Sequence, residues 1–371
     1  MRITFISFSS TSASALYPFQ MLSALAVKKD CEVQALVAKR TYNIEDYRQL
    51  CKNFKIELHE FETYEHNSKA VLLSFFKFGR FRNIIRVIKN FHPDAIYFPF
   101  GCVWAPVLFP MLKRVAPIVD TLHDPHPHDE STGIVESLFR WSGNYALRYI
   151  HGLVVLNTKD ADYVRNKFHK KVTVIPHAAF SFYNKLANNI DVSRVKRRIC
   201  FVGRIEPYKG VDILVDAFNL IKTKYIDLVI AGGGKISDET LNKISHNSRI
   251  QLINRFVTDD EMVAIVENSD FMVLPYLRAS QSGVIPMSFA LGRTVVATRV
   301  GALEEQVKNG TGILVEPDTV QIADAIDAMY EDECAMINKS KHAKEYADEE
   351  LTWGHSADLL MNFIRNLILY E

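Results

Sequence analysis

The sequence has little cysteine, and its cysteines form no recognisable pattern. Five are scattered over 371 residues, at spacings that fit neither paired disulfides nor a zinc-binding motif. Long apolar runs are also missing, because the longest uncharged stretch, 95–112, contains three prolines that would break a membrane-spanning helix. The first residues, 1–8, are typical of a strand rather than a secretory signal. These absences argue against a disulfide scaffold and a membrane span, and they predict a reducing, cytoplasmic location.

The chain also has almost no net charge, +1 from 44 basic and 43 acidic side chains. The charge is uneven, because residues 1–190 carry 24 basic and 16 acidic side chains and the remainder carries 20 and 27. The two parts therefore have net charges of +8 and −7. Such an asymmetry indicates that one half faces an anionic partner. Because the whole chain is not basic and has no recognition motif, we expect no nucleic-acid partner.

Thirteen short apolar runs alternate with helical patterns, seven before residue 190 and six after it. Their apolar residues are continuous rather than alternating, which is typical of strands covered on both faces in a parallel sheet. At 371 residues the chain exceeds the usual size of one hydrophobic core. We therefore predict an α/β protein with two doubly wound, Rossmann-like domains that face each other across a cleft.

The domain boundaries are predicted from composition. Residues 178–198 become poor in apolar side chains and end in a basic cluster, as expected of a linker. We predict an N-terminal Rossmann-like domain at 1–185, a C-terminal Rossmann-like domain at 186–350, and a terminal helix within 351–371. In open parallel sheets, ligands bind beyond the carboxyl ends of the strands, so motifs at predicted strand ends are the candidate sites.

The most informative motif is FVGRIEPYKG at 201–210. It predicts a buried strand that ends in a glycine turn, followed by a helix from about Val211. Such a turn directs backbone N–H groups and the positive end of a helix dipole at one spot. Arg204 and Lys209 add two cations there, which suits a polyphosphate, since Arg can bind two oxygens and Lys acts as a point charge. The alternative is a surface loop with solvated charges.

Two further strand ends carry weaker signals. After a strand near Leu274, the polar loop 280–283 precedes an apolar helix and could donate N–H and hydroxyl groups to an anion or a sugar. Alternatively, its serine only caps that helix. The triplet 232–234 resembles a dinucleotide fingerprint loosely, and we interpret it as a turn that needs positive φ.

The segment HDPHPHDE at 123–130 combines three histidines with three acids, a set that could bind a metal. We prefer an interpretation in which His123 makes a polar contact at a strand end and the other histidines are loop residues. Residues 68–92 carry six basic and no acidic side chains among aromatic and aliphatic ones. They predict either a membrane-surface helix that grips an anionic, lipid-linked partner or a core helix with a solvated basic face.

Together these residues resemble the retaining glycosyltransferases of family 4, which have the two-domain GT-B fold. The resemblance covers nearly the whole chain. Its most specific parts are the 203–210 motif, the 275–305 block with VGALEE, the Gly310-Thr-Gly312 turn with Pro317, and His123-Asp124. It implies that the N-terminal domain, 1–185, binds the acceptor and that the C-terminal domain, 186–350, binds the nucleotide sugar. It also implies that the terminal helix, after Trp353, crosses back to the N-terminal domain.

The resemblance also implies roles for particular residues. Arg204 and Lys209 would bind the donor diphosphate and His123 would contact the transferred sugar, so these three are the predicted catalytic residues. The predicted donor-binding residues are Gly203, Arg255, Phe256, Gln281, Ser282, Gly283, Val284 and Glu305. Weaker acceptor or loop candidates are Ser12 and Asp124.

The chain departs from the family pattern at two places. The family's Glu-x7-Glu pair falls at Ala279 and Met287, so both acids are missing and the usual ribose clamp is in doubt. The block instead has the form Ser-Gln-Ser-Gly-Val, which resembles a variant of the family. In addition, the glycine-rich loop after the first strand is replaced by SSTSAS at 9–14.

The resemblance predicts retaining, metal-independent transfer of a sugar from a nucleotide diphosphate sugar to a glycan hydroxyl, without a cofactor. The predicted acceptor is lipid-diphosphate-linked, as in bacterial surface polysaccharide or lipopolysaccharide assembly at the inner face of the cytoplasmic membrane. One alternative is a nucleotide-sugar epimerase on the same fold. Another is a catalytically silent nucleotide-sugar-binding partner, which the missing acids favour and the intact Arg204 and Lys209 oppose.

Overall fold

The computed structural model describes residues 1–9, 12–63, 78–125, 144–180, 182–187, 197–308 and 310–369. The chain divides into two compact units. The first unit comprises Met1–Pro176 and Trp353–Glu371, and the second unit comprises His177–Thr352.

The first unit contains a seven-stranded, fully parallel sheet with the strand order β3-β2-β1-β4-β5-β6-β7. The five inner strands are almost entirely buried because their apolar runs face helices on both sides, whereas the two edge strands are mostly half-buried. They are β1 Arg2–Ser7, β2 Glu32–Ala38, β3 Glu57–Phe61, β4 Ala95–Phe98, β5 Ile118–Leu122, β6 Gly152–Val155 and β7 Lys171–Val174.

Helices cover both faces of this sheet. They are α1 Ser12–Ala26, α2 Ile44–Phe54, α3 Phe78–Phe91, α4 Ala105–Leu112, α5 Thr158–Phe168 and the terminal α14 Trp353–Leu369. Ile96 and Phe98 of β4 lie in the core cluster formed with α3 and α4. Tyr97, which points to the opposite face, forms a hydrogen bond with the Thr121 hydroxyl, 2.8 Å away, and its ring packs edge-on against Phe5. The alternation of side chains along β4 thus fills two separate layers.

The second unit contains a six-stranded parallel sheet with the strand order β10-β9-β8-β11-β12-β13. Its strands are β8 Arg198–Val202, β9 Asp227–Ala231, β10 Ile250–Ile253, β11 Phe271–Leu274, β12 Thr294–Thr298 and β13 Gly312–Val315. Each of the thirteen apolar runs in the sequence corresponds to one strand within the described ranges, so the predicted presence of two Rossmann-like sheets is confirmed.

In the described part of the second unit, one helix precedes the first strand, one helix follows each strand, and a last helix ends the unit. These helices are α6 Phe182–Ala187, α7 Val211–Leu220, α8 Asp238–Ser245, α9 Asp259–Glu267, α10 Val284–Ala290, α11 Leu303–Gln306, α12 Thr319–Glu331 and α13 Glu333–Glu349. Several begin at side-chain caps that the sequence supplies. Thr258 and Glu261 form a reciprocal capping box at α9, and Asp318 accepts two backbone N–H bonds at α12.

The terminal helix α14 packs on α1 within the first unit, as the predicted fold requires. Trp353, at its start, contacts Tyr17 with ring centroids 4.9 Å apart. Gly152 lets α14 approach β6 closely, because a Cβ atom at that position would lie 2.7 Å from atoms of Phe363 and Leu367. The ion pairs Lys28–Asp358 and Asp30–Arg365 join α14 to the turn that follows α1.

The observed division differs from the predicted boundary after residue 185. Residues 177–185 belong to the second unit, because α6 packs on α9 and α10 and the Ala179 N–H donates to the Leu351 carbonyl oxygen, 3.3 Å away. At the other end, the chain rejoins the first unit at Trp353 rather than at 351. The linker composition located the junction only approximately, because its apolar start contributes to a core.

The basic segment 68–92 is described only from Phe78 onward, as helix α3. Phe81, Ile84 and Ile88 are buried in the first-unit core, while the cations at 82, 86 and 89 are exposed. This part of the segment therefore fits the core helix with a solvated basic face. Of the helices in the described ranges, none is long and apolar enough to cross a bilayer.

Candidate functional site

The loop 203–210 joins β8 to α7 at the carboxyl edge of the second-unit sheet. It contains a 3₁₀ turn at Pro207–Lys209 and reaches α7 at Val211, as predicted. Gly210 has φ +68°, and a Cβ atom there would lie 1.9 Å from the Pro275 carbonyl oxygen. Only glycine fits this close approach of two backbones, so the loop is held against the end of β11.

The glycine triplet 232–234 supports the same loop from β9. Gly232 has φ +148°, and a Cβ atom there would lie 1.8 Å from the Gly203 carbonyl oxygen. The Gly203 N–H donates to the Ala231 carbonyl, and the Ile205 N–H donates to the Gly233 carbonyl, both over 3.0 Å. The triplet is thus a tightly packed turn, in agreement with the interpretation made from the sequence.

Arg204 and Lys209 lie close enough for their charges to interact. Arg204 is exposed, whereas Lys209 is half-buried, with its Nζ atom 3.8 Å from the centroid of the Tyr276 ring. Burial lowers the pKa of Lys209 to about 8, and the neighbouring Arg204 charge lowers it as well. Within the part of the chain that the structure describes, neither cation forms an ion pair with a carboxylate. The arrangement is an uncompensated pair of cations.

The second loop, 275–283, follows β11 and leads into α10. Ser282 is buried, and the Gln306 amide clamps its backbone: the Ser282 N–H donates to Gln306 Oε1 over 2.8 Å, and Gln306 Nε2 donates to the Ser282 carbonyl over 2.9 Å. The Ser282 hydroxyl lies 3.2 Å from the Tyr276 hydroxyl. The N-cap of α10 is Gly283, without a side-chain cap, so Ser282 fixes the loop rather than capping the helix.

Gln281, Gly283 and Val284 surround this fixed serine. The Gln281 side-chain oxygen is buried and has no hydrogen-bond partner among the described residues, which marks it as an acceptor free for a ligand. Gly283 is exposed, and a Cβ atom there would lie 3.9 Å from His177 Nε2. Burial lowers the pKa of His177, so this imidazole is neutral at pH 7. Val284 is the first residue of α10 and is half-buried.

Arg255 and Phe256 lie in the loop after β10. The two terminal guanidinium nitrogens of Arg255 donate to the Glu261 carboxylate, at 2.9 and 2.7 Å. This pairing lowers the pKa of Glu261 to about 2. Arg255 therefore braces the loop and already has an anionic partner. The Phe256 ring is 81% exposed, which leaves a flat aromatic face accessible beside the glycine triplet.

Glu305 lies on the short helix α11 and is half-buried. Gly301 brings this helix close to the second loop, because a Cβ atom at its φ of +53° would lie 1.5 Å from the Ala279 carbonyl oxygen. The neighbouring Gln306 makes the clamp on Ser282. One edge of the second-unit sheet therefore carries eight of the predicted residues, six on the loops that follow its strands and two on the short helices that follow those loops. The loop residues are Gly203, Arg204, Lys209, Gln281, Ser282 and Gly283, and the helix residues are Val284 and Glu305.

His123 and Asp124 follow β5 at the carboxyl edge of the first-unit sheet. His123 Nε2 lies 2.9 Å from the Pro99 carbonyl oxygen, and its ring packs on Tyr17 and Phe100 with centroid distances of 4.5 and 4.4 Å. The imidazole is therefore held in one orientation. Asp124 is exposed, and Ser12 is the first residue of α1. The residues 126–130 of the alternative metal site lie outside the described residues.

The sequence analysis did not identify three residues that the structure brings to these loops: Tyr276, Gln306 and His177. Tyr276 follows a proline at a strand end, which was a usable signal, because strand-end residues line the ligand edge. Nothing in the sequence around Gln306 or His177 indicated a role for either residue. Gln306 contacts Ser282, which lies 24 residues away in the chain, and His177 lies beside Gly283, which is distant in the chain.

Two family models match the chain. One, described as Glycosyltransferase Family 4, matches residues 21–179, and the other, described as Glycosyl transferases group 1, matches residues 196–332. Among solved structures, Anabaena Alr3699/HepE in complex with UDP is similar over 99% of this chain and 100% of its own, with a TM-score of 0.70 and 18% identity. This likeness confirms the predicted GT-B fold.

Two curated relatives illustrate the sequence similarity. The D-inositol 3-phosphate glycosyltransferase of Corynebacterium aurimucosum is 29% identical over 47% of this chain and 44% of its own. The GDP-mannose:glycolipid 4-beta-D-mannosyltransferase of Xanthomonas campestris pv. campestris is 27% identical over 54% of this chain and 56% of its own. The chain thus spans about half the length of these relatives.

Proposed function

We propose that this chain, which matches two glycosyltransferase family models, transfers a sugar from a nucleotide diphosphate sugar to a glycan hydroxyl with retention of anomeric configuration. The observation that carries this proposal is the uncompensated pair Arg204 and Lys209 at a strand-end loop. Two adjacent cations without a carboxylate partner are costly to fold unless an anion binds there. A leaving diphosphate is such an anion.

The cation pair has a direct chemical use in this reaction. As the bond between sugar and phosphate breaks, negative charge accumulates on the leaving diphosphate. Arg204 can bind two of its oxygens and Lys209 can act as a point charge, in place of a metal ion. Preorganised donors of this kind contribute on the order of 10²–10³ in rate each. We therefore propose that the reaction needs neither metal nor cofactor.

The loops beside the cations offer groups for the rest of the donor. Gln281 has a buried, unpartnered side-chain oxygen, and Gly283 leaves its backbone exposed. We assign both, with Val284 and Glu305, to the nucleotide sugar, and we assign the exposed Phe256 ring to the base. The structurally similar Anabaena protein was solved in complex with UDP, which supports a nucleotide diphosphate as the ligand class.

His123 is proposed to contact the transferred sugar. Its ring is fixed by the Pro99 carbonyl and two aromatic neighbours, so it can orient a sugar hydroxyl without reorganising. In a retaining reaction of this type, the acceptor hydroxyl attacks from the face that the diphosphate leaves. The departing phosphate oxygen then takes the acceptor proton, and no paired carboxylates are required. This is compatible with the absence of acids at Ala279 and Met287.

The proposed acceptor is a lipid-linked glycan at the inner face of the cytoplasmic membrane, in surface polysaccharide assembly. The exposed cations of α3, Arg82, Arg86 and Lys89, support contact with an anionic lipid surface. The name of the Xanthomonas relative specifies a glycolipid acceptor, which supports the same class. Binding to phosphatidylglycerol vesicles that is no stronger than binding to phosphatidylcholine vesicles would contradict this peripheral contact.

A donor panel tests the proposed function. The purified chain is mixed with UDP-, GDP-, TDP- and ADP-sugars in the presence of EDTA, with free or lipid-linked sugar acceptors, and nucleotide release and product anomer are measured. We expect release that depends on one donor and on the acceptor, with retained configuration. Conversion of the donor sugar without acceptor would identify the epimerase instead. Binding of a nucleotide sugar without any conversion would identify the silent partner.

A further inference from the structure

We infer that Tyr276 is the positioning residue of the cation pair: its ring holds the Lys209 ammonium group, and its hydroxyl is hydrogen-bonded to Ser282 of the same loop, which fixes the ring in place. The inference rests on the proposed function and deepens it. It assigns control of the anion-binding cation to a fully buried side chain of the neighbouring loop.

The first observation is the contact of the Lys209 ammonium group with aromatic rings. Lys209 Nζ lies 3.8 Å from the centroid of the Tyr276 ring and 5.5 Å from that of Tyr208. The face of an aromatic ring carries partial negative charge and attracts a cation, most strongly where water is excluded. In the described part of the chain no carboxylate pairs with Lys209, so the tyrosine rings offset the burial of its charge.

The second observation is that the backbone around Tyr276 is fixed on both sides. The Leu277 N–H donates to the Tyr208 carbonyl over 2.7 Å, which joins the two loops directly. The Thr298 hydroxyl donates to the Tyr276 carbonyl over 2.6 Å from the neighbouring strand. The Tyr276 ring therefore cannot move relative to the turn that carries Lys209 without breaking these bonds.

The third observation is the hydrogen bond of the Tyr276 hydroxyl. The Tyr276 hydroxyl lies 3.2 Å from the Ser282 hydroxyl, and Gln306 holds the Ser282 peptide with two hydrogen bonds. A continuous, buried path thus runs from Lys209 through Tyr276 to Ser282. These contacts fix the distance between Lys209 and the exposed Gly283. A ligand that contacts both residues therefore binds to groups already in position, and Tyr276 preorganises the site in this way.

The kinetic test compares Tyr276→Leu with Tyr276→Phe in the donor-dependent reaction. Tyr276→Leu removes the ring, and we expect kcat/KM to fall by about tenfold or more. Tyr276→Phe keeps the ring and loses only the hydroxyl, so we expect kcat within about threefold of the parent and a raised donor KM. Tyr330→Phe is the matched control, because Tyr330 is a buried tyrosine of the same unit that donates to Asp270. Equal kcat/KM in Tyr276→Leu and the parent overturns the inference.

A second measurement follows the protonation of the Lys209 amine and does not require enzymatic turnover. Competitive acetylation across pH, followed by mass spectrometry, gives the pH at which the Lys209 amine becomes reactive, and inorganic pyrophosphate serves as the protecting anion. We expect a lower transition pH in Tyr276→Leu than in the parent and Tyr276→Phe. Pentafluorophenylalanine at position 276 keeps the ring size but reverses the charge of its face, so it should also lower the transition.

These arms separate the inference from the proposed function. If the parent chain turns over no nucleotide sugar, the proposed function fails, while the acetylation curves still decide whether Tyr276 holds Lys209. If the leucine variant does not fold, the pentafluorophenylalanine chain replaces it, because its core volume is nearly that of phenylalanine. Identical acetylation curves in the pentafluorophenylalanine and phenylalanine chains overturn the inference.

Discussion

Lys209 and Arg204 are cations of one loop, but their environments differ. Arg204 is exposed, while Lys209 is half-buried with its ammonium group on the Tyr276 ring. Burial and the Arg204 charge both favour the neutral form of Lys209. The charged form therefore carries a folding cost, and a bound anion would relieve it. Residue-scale predictions concern this cost and its relief.

Replacing Lys209 should separate activity from stability. We expect Lys209→Met to lower turnover by at least about 10²-fold, because it removes a cation from the leaving group. The same change should raise the free energy of unfolding by about 1 kcal/mol, since a partly desolvated charge is removed. Assays of nucleotide release and thermal unfolding measure the two effects.

Two variants complete that test. Arg204→Gln should also lose turnover by about 10²-fold, with little change in stability because Arg204 is exposed. Lys224→Met replaces an exposed lysine of the same unit and should change neither quantity. A Lys209→Met chain with parental turnover, or one that unfolds at a lower temperature, would contradict the assigned role.

The lowered pKa of Lys209 predicts a pH dependence of donor binding. Because the diphosphate needs the charged amine and the pKa in the free protein is about 8, donor affinity should fall about tenfold per pH unit above pH 8. The affinity falls with rising pH because the anion binds the charged amine, so binding takes up a proton. Calorimetric titration at pH 7 to 10 in buffers of different ionisation enthalpy measures it, and Lys209→Arg should remove the decline. An affinity that stays constant to pH 10 in the parent is incompatible with this explanation.

At the scale of elements, the site is a set of loops pressed together at the ends of parallel strands. Close backbone contacts join β8 to β11 through Gly210 and β8 to β9 through Gly232. The loops therefore behave as one supported surface rather than as separate flexible connections. Backbone contacts of this kind fix the positions of Arg204 and Lys209 before a ligand arrives.

A pair of glycine substitutions tests this support. Gly210→Ala should destabilise the second unit by more than about 2 kcal/mol and should lower turnover, because a Cβ atom would lie 1.9 Å from the Pro275 carbonyl. Gly292→Ala is the control, since Gly292 has the similar φ of +67° but open space around it. It should cost only about 1 kcal/mol of backbone strain and retain turnover. Denaturant unfolding of both variants measures the difference, and equal losses would mean that the close approach is unimportant.

At the scale of the whole molecule, the chain builds one unit, then a second, and returns to the first. The return is made by α14, whose residues Leu360, Ile364 and Leu367 are buried in the first unit. The stability of the first unit thus depends on the last residues of the chain. The loops of the second unit contain none of these residues, so the two units should respond differently to changes in α14.

Shortening a buried side chain of α14 tests this dependence. Leu360→Ala should cost about 2–4 kcal/mol and should speed amide hydrogen exchange in α1, which contacts α14. Leu369→Ala changes a leucine that is 75% exposed in the same helix and should cost less than about 0.5 kcal/mol. Faster exchange throughout the second unit and not in α1 would show that α14 supports the other unit instead.

The sequence alone predicted the strands and the presence of two Rossmann-like sheets, and it singled out the two cations of the 203–210 loop. This was possible because doubly covered strands need continuous apolar runs, and because a strand-to-helix turn with Gly203, Arg204 and Lys209 is readable over ten residues. The sequence placed the unit boundary after residue 185, and the structure places it after Pro176. Composition records where apolar residues become rare, but not which core the last of them joins.

Only the tertiary structure decided which groups surround the cations. Three contacts join groups from different turns or helices: Lys209 with the Tyr276 ring, Arg255 with Glu261, and the Gln306 side chain with the Ser282 backbone. Such contacts depend on the order of strands in the sheet and on backbone distances of a few ångströms. Local propensity and periodicity contain neither quantity, because they describe neighbours along the chain and not across it.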